Sequence, residues 1–414
     1  MSQYIRHVAA GIMSSLESNP VVLVEGPRAV GKSTLLRNHA QANSAVFLDL
    51  DDLTTRRAVA NDPGFFVSGQ GLICIDEYQK VPELLDAIKA ELNSNSSSGR
   101  FLLAGSTSFD ALPKGTQALS GRLGRISVEP LTQSEIAGAK SPDLTQLTDP
   151  QRRNLPGIGS TSRQQYVSRI LAGGYPLALA RSESARSRWV EDYLSLSLSR
   201  DVEEASGPKD SYKLKETFRL LAAHTGELVN ISRLSQAAKL NQITVNGYLQ
   251  ALKSIFLISE LPAWGTTLGS SVKRKSKFHI VDSLIAARLL RLGSEKLLSN
   301  NPSAQTEFGH LLESFVVGEV RRLASFSGEV FDLGHWRIND EVEVDLVLET
   351  VDGSVFGFEI KSSSSVKLSD TKGLRVLKEK LGGQFAAGVV FYLGPHQFEL
   401  APDIWAVPVD ALWS

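Results

Sequence analysis

Short apolar runs recur through the first third of the chain, each closed by polar or turn-forming residues. They are Val21-Val22-Leu23-Val24-Glu25, Val46-Phe47-Leu48-Asp49-Leu50, Leu72-Ile73-Cys74-Ile75-Asp76, Arg100 to Gly105, and Arg125 to Val128. Runs this short and rich in β-branched residues predict buried strands. Between them the apolar positions recur at helical spacing, as in 34–42 and 81–93. Strands alternating with helices predict an α/β layered domain with a mostly parallel sheet.

The pattern then changes. Residues 138–163 are rich in Pro, Gly, Ser, Thr and Gln and have no apolar period, so they read as an exposed linker or flexible insertion. A helical stretch from Tyr166 breaks at Gly173-Gly174-Tyr175-Pro176 and resumes from Trp189 to Ser199, as a small helical lid would. Residues 229–258 predict a helix-turn-helix. Ser232 caps a helix carrying Leu234 and Ala238, and Leu240-Asn241-Gln242 turns. The helix Ile243 to Ser254 then carries Val245, Leu249 and Leu252 on one face.

Toward the C-terminus a helix over 306–323 has an apolar stripe of Phe308, Leu312, Phe315 and Leu323. It is followed over 341–363 by two alternating segments flanking Asp352-Gly353, a strong hairpin signal. Further strands are expected at 388–393 and 404–407. The expected divisions are 1–137, a linker at 138–165, a helical and winged-helix region at 166–305, and an α/β domain at 306–414.

Composition narrows this picture. The 414 residues give room for several cores, and 42% hydrophobic with 21% charged residues is ordinary for a globular chain. A formal net charge of −1 gives no global attraction to nucleic acid, so any basic surface must be local. The one cysteine, Cys74, reads as a core side chain in a reducing compartment. The N-terminus lacks the apolar core of a secretory signal, and no run approaches a membrane span. A cytoplasmic protein without a membrane partner is expected.

The first chemistry lies between a strand and a helix. Gly26-Pro27-Arg28-Ala29-Val30-Gly31-Lys32-Ser33-Thr34 has the G-x-x-x-x-G-K-[ST] spacing of a P-loop. Its glycines let backbone N–H groups close around phosphates, Lys32 neutralises β/γ charge, and the Ser33 hydroxyl ligates Mg²⁺. The following helix adds its N-terminal dipole. The strand ending Asp76-Glu77 supplies a second metal group, Asp76, and a general base, Glu77; its bland alternative is an acidic turn. Ser106, with Thr107 and Ser108 after another strand, reads as a γ-phosphate or water sensor, or as ordinary turn chemistry. Arg122 reads as an arginine for the developing γ-phosphate charge, in its own subunit or a neighbour's, or as a solvated surface residue.

GPRAVGKST, VFLDLDD, DEYQKVPEL, LAGSTSF, SGR and EPLTQSE together resemble the AAA-type ATPases. The resemblance is to a prokaryotic group related to the STAND switch ATPases, with a C-terminal domain of unknown function. It extends through Gly173-Gly174-Tyr175-Pro176 and covers nearly the whole chain. It implies ATP binding and hydrolysis with Mg²⁺ and assembly into a homo-oligomer, and it identifies no substrate.

Two DNA-facing elements are readable in the middle region. Thr244, Asn246, Gln250 and Lys253 lie on the outward face of the second helix, where they could meet a major groove or a protein partner. Lys253 is the only cation of that helix. The run Lys273-Arg274-Lys275-Ser276-Lys277 is the stronger electrostatic candidate, against the alternative of a solvated hairpin.

The C-terminal hairpin carries the second chemistry. A three-residue loop, Val351-Asp352-Gly353, sets Asp345 opposite Glu359 and gathers Glu343, Asp345, Glu359 and Lys361 on one face. Val344, Leu346, Leu348, Phe356, Phe358 and Ile360 then point the other way. Paired carboxylates with a lysine can hold Mg²⁺ or Mn²⁺ against a phosphate. The D-x₁₃-E-x-K arrangement resembles the PD-(D/E)XK nucleases and archaeal junction resolvases. That resemblance implies a restriction-endonuclease-like fold and a further glutamate on the preceding helix. Glu313 fits this position, and Glu319, within the apolar stripe, is a second candidate. Cross-strand ion pairs such as Glu343 with Lys361 are the competing reading. The expectation is therefore an ATP-hydrolysing switch coupled to a nuclease-like domain acting on DNA, or a switch that grips nucleic acid or protein without cutting.

Overall fold

A computed structural model describes residues 4–111, 119, 121–147, 158–207, 209–265, 275–339 and 342–414. In the N-terminal third, β1 (Val21–Glu25), β2 (Val46–Asp49), β3 (Ile73–Asp76), β4 (Phe101–Gly105) and β5 (Leu123–Ser127) form an all-parallel sheet in the order β2-β3-β4-β1-β5. Each expected strand is present. Every residue of β1, β3 and β4 is buried, as the unbroken apolar runs require of strands covered on both faces. One face packs against Tyr78 and against Leu84, Ile88 and Leu92 of helix Glu83–Ser94. The other face joins a large core shared with the middle and C-terminal regions.

The middle region is helical. Helix Arg163–Ala172 is capped by Ser162 and helix Glu183–Leu196 continues into a π-helical turn at Ser197–Asp201. The glycine pair between the first of these and the short helix Pro176–Leu179 is a junction. Gly174 N–H donates to Asp282, and its carbonyl accepts from Leu131 N–H of the N-terminal region. The helix-turn-helix is present as Ile231–Ala238 and Gln242–Ser254, followed by an antiparallel pair, β6 (Ile258–Leu261) and β7 (Lys277–Ile280). The first cap is Asn230, whose side chain accepts from Ser232 and Arg233 N–H, rather than the expected Ser232.

The C-terminal sheet is mixed. β8 (Phe331–Asn339), β9 (Val342–Thr350), β10 (Val355–Ile360), β11 (Phe385–Tyr392), β12 (Phe398–Ala401) and β13 (Ile404–Pro408) take the order β12-β13-β11-β10-β9-β8. The long helix Pro302–Phe326 covers one face through Phe308, Leu311, Leu312 and Phe315, and helix Lys372–Leu381 covers the other through Leu374, Leu377 and Leu381. The 305/306 division therefore falls inside a helix, and so does the 165/166 division, inside Arg163–Ala172.

The linker expectation is corrected where the chain is described. Leu144 and Leu147 are buried, Gln397 donates to Leu147 O, and Gly159 and Thr161 N–H donate to Asp410. These residues strap onto the C-terminal domain; residues 148–157 lie outside the described residues.

Candidate functional site

The P-loop leaves β1 at the C-terminal edge of the parallel sheet. Gly26 sits so close to β5's exit that a Cβ there would stand 2.0 Å from Val128 O, which leaves no room for another residue. Lys32 opens the following helix, Lys32–Ala42, and is almost fully buried. Its ammonium donates to the carbonyls of Gly26 and Pro27, both at 2.8 Å. Burial lowers its pKa to about 8 against the opposing pull of Glu77 and Asp76. The Ser33 hydroxyl hydrogen-bonds the Asp76 carboxylate, whose pKa burial raises to about 6. A hydroxyl and a buried carboxylate meeting beside the loop are the oxygen donors that Mg²⁺ favours, so these residues fit that ion.

Glu77 follows Asp76 directly and is buried at φ 53°, a left-handed backbone rare outside glycine. Its carboxylate accepts from Ser106 Oγ at 3.1 Å and from the Gln79 amide. Ser106 thus contacts the expected base rather than standing alone as a sensor. Arg122 is corrected for its own subunit. It lies just before β5, with its carbonyl accepting from Val21 N–H, at the N-terminal edge of the sheet. A five-residue strand separates it from the P-loop by about 16 Å.

Two arginines tie the loop to its surroundings. Arg6, ahead of helix Val8–Ser18, donates to Val30 O at 2.6 Å and Glu129 O at 2.8 Å and pairs with Glu135 at 3.0 Å. Arg28, within the loop, pairs with Asp201 of the π-helical turn at 2.7 Å and with Glu204 of the helix that follows it, Val202–Ser206, at 3.2 Å. Glu129 and Gln133 in turn meet the long helix: Arg321 pairs with Glu129 at 2.5 Å, and Gln133 N–H donates to Glu319 at 2.8 Å. Glu319 also pairs with Arg322 at 2.5 Å, which satisfies its buried charge and removes it from the C-terminal carboxylate group.

That group is built on β9, β10 and the long helix. Pairing of Val355 with Glu349 through Phe358 with Leu346 gives the expected register, with Gly353 at φ 83° closing the three-residue loop. Asp345 Oδ2 accepts from Ile360 N–H at 2.9 Å, and Lys361 pairs with Glu359 at 2.8 Å. The clean alternation is corrected. An extra residue on β9, where Val344 to Val347 runs opposite only Trp336 to Gly334 of β8, shifts the phase of β9, so Val344 joins Val347 against helix Lys372–Leu381 while Leu346 and Leu348 face the long helix. Glu313 points to the same group, about 9 Å along its helix from Glu319.

An unexpected residue sits among these carboxylates. Lys277 of β7 has a side chain only 3% exposed, with its ammonium 2.6 Å from Glu343, 3.0 Å from Glu313 and 3.6 Å from Asp345. The basic-run expectation is thereby corrected at Lys277; Lys275 is exposed, while Lys273 and Arg274 lie outside the described residues. Lys253, the one cation of the second turn-helix, is tied to Glu260 at 2.5 Å. Burial would lower the pKa of Lys277, but Glu313, Asp345 and Glu343 outweigh it and hold the ammonium above its ordinary range. Burial and the Asp345 charge raise Glu313 and Glu359 to about 8. Among the described residues no group of three or more His, Cys, Asp or Glu is arranged to hold a metal. As arranged, the carboxylates fit an ammonium rather than Mg²⁺ or Mn²⁺.

Comparisons with known proteins match three separate stretches of the chain. Residues 18–137 match the family described as AAA domain, residues 163–296 match Domain of unknown function (DUF8612), and residues 308–412 match Domain of unknown function (DUF4143). Uncharacterized proteins of Mycobacterium tuberculosis and Mycobacterium bovis are each 28% identical over 98% of this chain and 84% of their own length. A Walker-type ATPase of Pyrococcus abyssi is similar at 16% identity and TM-score 0.43, over 68% of this chain and 94% of that one. No helix of the described residues is long and apolar enough to cross a membrane. The N-terminal domain is an AAA-type P-loop ATPase domain.

Proposed function

We propose that the chain is an ATP-binding and ATP-hydrolysing switch that acts on DNA through its nuclease-like C-terminal domain. The observation that carries the first half is the joint burial of Lys32, Asp76 and Glu77 around the P-loop, with Ser33 on Asp76 and Ser106 on Glu77. In this reading the backbone of Gly26 to Gly31 and the N-terminus of the Lys32–Ala42 helix bind the phosphates. Lys32 exchanges two carbonyl partners for β/γ oxygens. Mg²⁺, held by Ser33 and Asp76, neutralises phosphate charge when bound. Glu77 takes a proton from the attacking water, with Ser106 and Gln79 fixing its carboxylate. Arg122 enters only through a second copy of the chain, in an oligomer.

The switch is proposed to run along two paths. Phosphates compete with Asp201 and Glu204 for Arg28, which frees or tightens the middle region. Arg6, Glu129 and Gln133 connect the P-loop side to Arg321 and Glu319 of the long helix, and that helix carries Glu313 into the carboxylate group.

For the C-terminal domain, cutting and gripping are the two versions of the reading. Glu313, Asp345, Glu359 and Lys361 standing together support the nuclease-like resemblance. Lys277 among them favours gripping without cutting in this arrangement. Three readouts on one preparation test the whole: ATP turnover in the parent and in Glu77→Gln, DNA affinity with and without Mg-ATP, and manganese-dependent plasmid nicking. The account expects turnover lost in Glu77→Gln, DNA affinity that changes with ATP, and no nicking by the parent. Turnover undiminished in Glu77→Gln, or DNA affinity indifferent to nucleotide, would overturn it. Nicking abolished by Asp345→Ala would select the cutting version.

A further inference from the structure

We infer that Lys277 has taken the position a divalent cation would fill in the C-terminal carboxylate group, so that the folded chain keeps this site metal-free; the inference rests on the nuclease-like reading of that domain. The lysine comes from outside the domain whose carboxylates it meets. It sits on β7 of the middle region, paired with Leu261 of β6, and the chain just after β6 is bonded to β8: Trp264 N–H donates to His335 O, and His335 N–H donates to Pro262 O. These main-chain bonds fix the hairpin against the edge of the C-terminal sheet and aim Lys277 inward.

The charges around it close without a metal. Glu313, Glu343, Asp345 and Glu359 face Lys277, Lys361 and Arg337, the last 3.4 Å from Glu343. Three cations stand among four carboxylates, so at most one negative charge is left over, shared over partly exposed groups. The spacing is also an ammonium's. Oxygens stand 2.6–3.6 Å from Nζ, whereas Mg²⁺ and Ca²⁺ draw oxygens to about 2.0–2.6 Å. Removing the ammonium leaves Glu313, Glu343 and Asp345 facing one another in a partly buried space, where a divalent ion can neutralise them.

Manganese titration of the full chain without nucleotide, read by the electron paramagnetic resonance of free Mn²⁺, tests this. The parent is expected to show no uptake that Asp345→Asn removes. Lys277→Met is expected to take up one additional ion per chain, and the Lys277→Met/Asp345→Asn double variant to lose it. Lys277→Arg keeps the charge and is expected to behave as the parent. If Lys277→Met proves unfolded, Lys277→Met/Glu343→Gln, with one carboxylate fewer to neutralise, is titrated in its place with the same expectation. A folded Lys277-less variant with no added uptake would overturn the inference, and so would parent uptake that Asp345→Asn abolishes. DNA affinity measured on the same proteins by fluorescence anisotropy tests the underlying reading separately. If the parent binds no DNA, the DNA-acting reading fails while the manganese result still decides the role of Lys277.

Discussion

The molecule buries two lysines beside carboxylates and treats them in opposite ways. Lys32 is held by two neutral carbonyls, with Asp76 and Glu77 nearby, and burial lowers its pKa to about 8. Lys277 contacts three carboxylates directly, and its pKa is raised. The difference is one of vacancy in charge rather than of space. The first ammonium gains when an anion arrives, because carbonyl dipoles answer only part of its charge. The second has nothing to gain from an anion, and its loss would strand three negative charges. One lysine equips a binding site; the other completes an ion cluster.

Replacing each lysine is the sharpest way to break this contrast. Lys32→Ala should reduce ATP turnover by about 10²–10³-fold with little change in melting temperature, measured by phosphate release and thermal unfolding. Lys277→Ala should do the reverse. It should cost about 3 kcal/mol of folding stability in denaturant titration, because breaking a buried ion cluster leaves charges uncompensated. Equal effects of the two substitutions on stability would erase the distinction.

A pH series sharpens it further. Lys32 must be charged to hold phosphate, and phosphate raises its pKa, so affinity is fully present below about pH 8 and falls as pH rises through that value. Between pH 7 and pH 9 the affinity for an ATP analogue should drop by less than about tenfold. Affinity rising over that interval would mean that the lysine binds neutral. The smallest effect is expected at the rim. Arg28 is partly exposed, so a double-mutant cycle between Arg28→Ala and Asp201→Asn should give a coupling of about 1 kcal/mol in the free protein, diminished when nucleotide is bound.

How much of this was legible from the chain follows from which interactions are local. The P-loop, the strands and the Asp345–Glu359 register were readable because each depends on contiguous residues: an apolar run before a glycine loop, or Asp352-Gly353 fixing a turn. β8 was not readable, since a bulge between Arg337 and Asn339 breaks its alternation. The extra β9 residue between Val344 and Val347 likewise hid the split of Val344 from Leu346. Lys277 looked like part of a solvated basic run, and only the docking of β6–β7 on β8 buries it. Arg6 and Asp201 lie outside every motif, and their partners are 24 to 173 residues away. Long-range ion pairs have no sequence spacing to betray them.

Isothermal titration of ATP with magnesium into the parent chain and into Lys32→Ala bears most directly on the central claim, that the N-terminal domain grips a triphosphate through its P-loop lysine. The account predicts saturable heat for the parent and its loss in the variant. A parent that takes up no nucleotide, or a variant that binds ATP as the parent does, would contradict it.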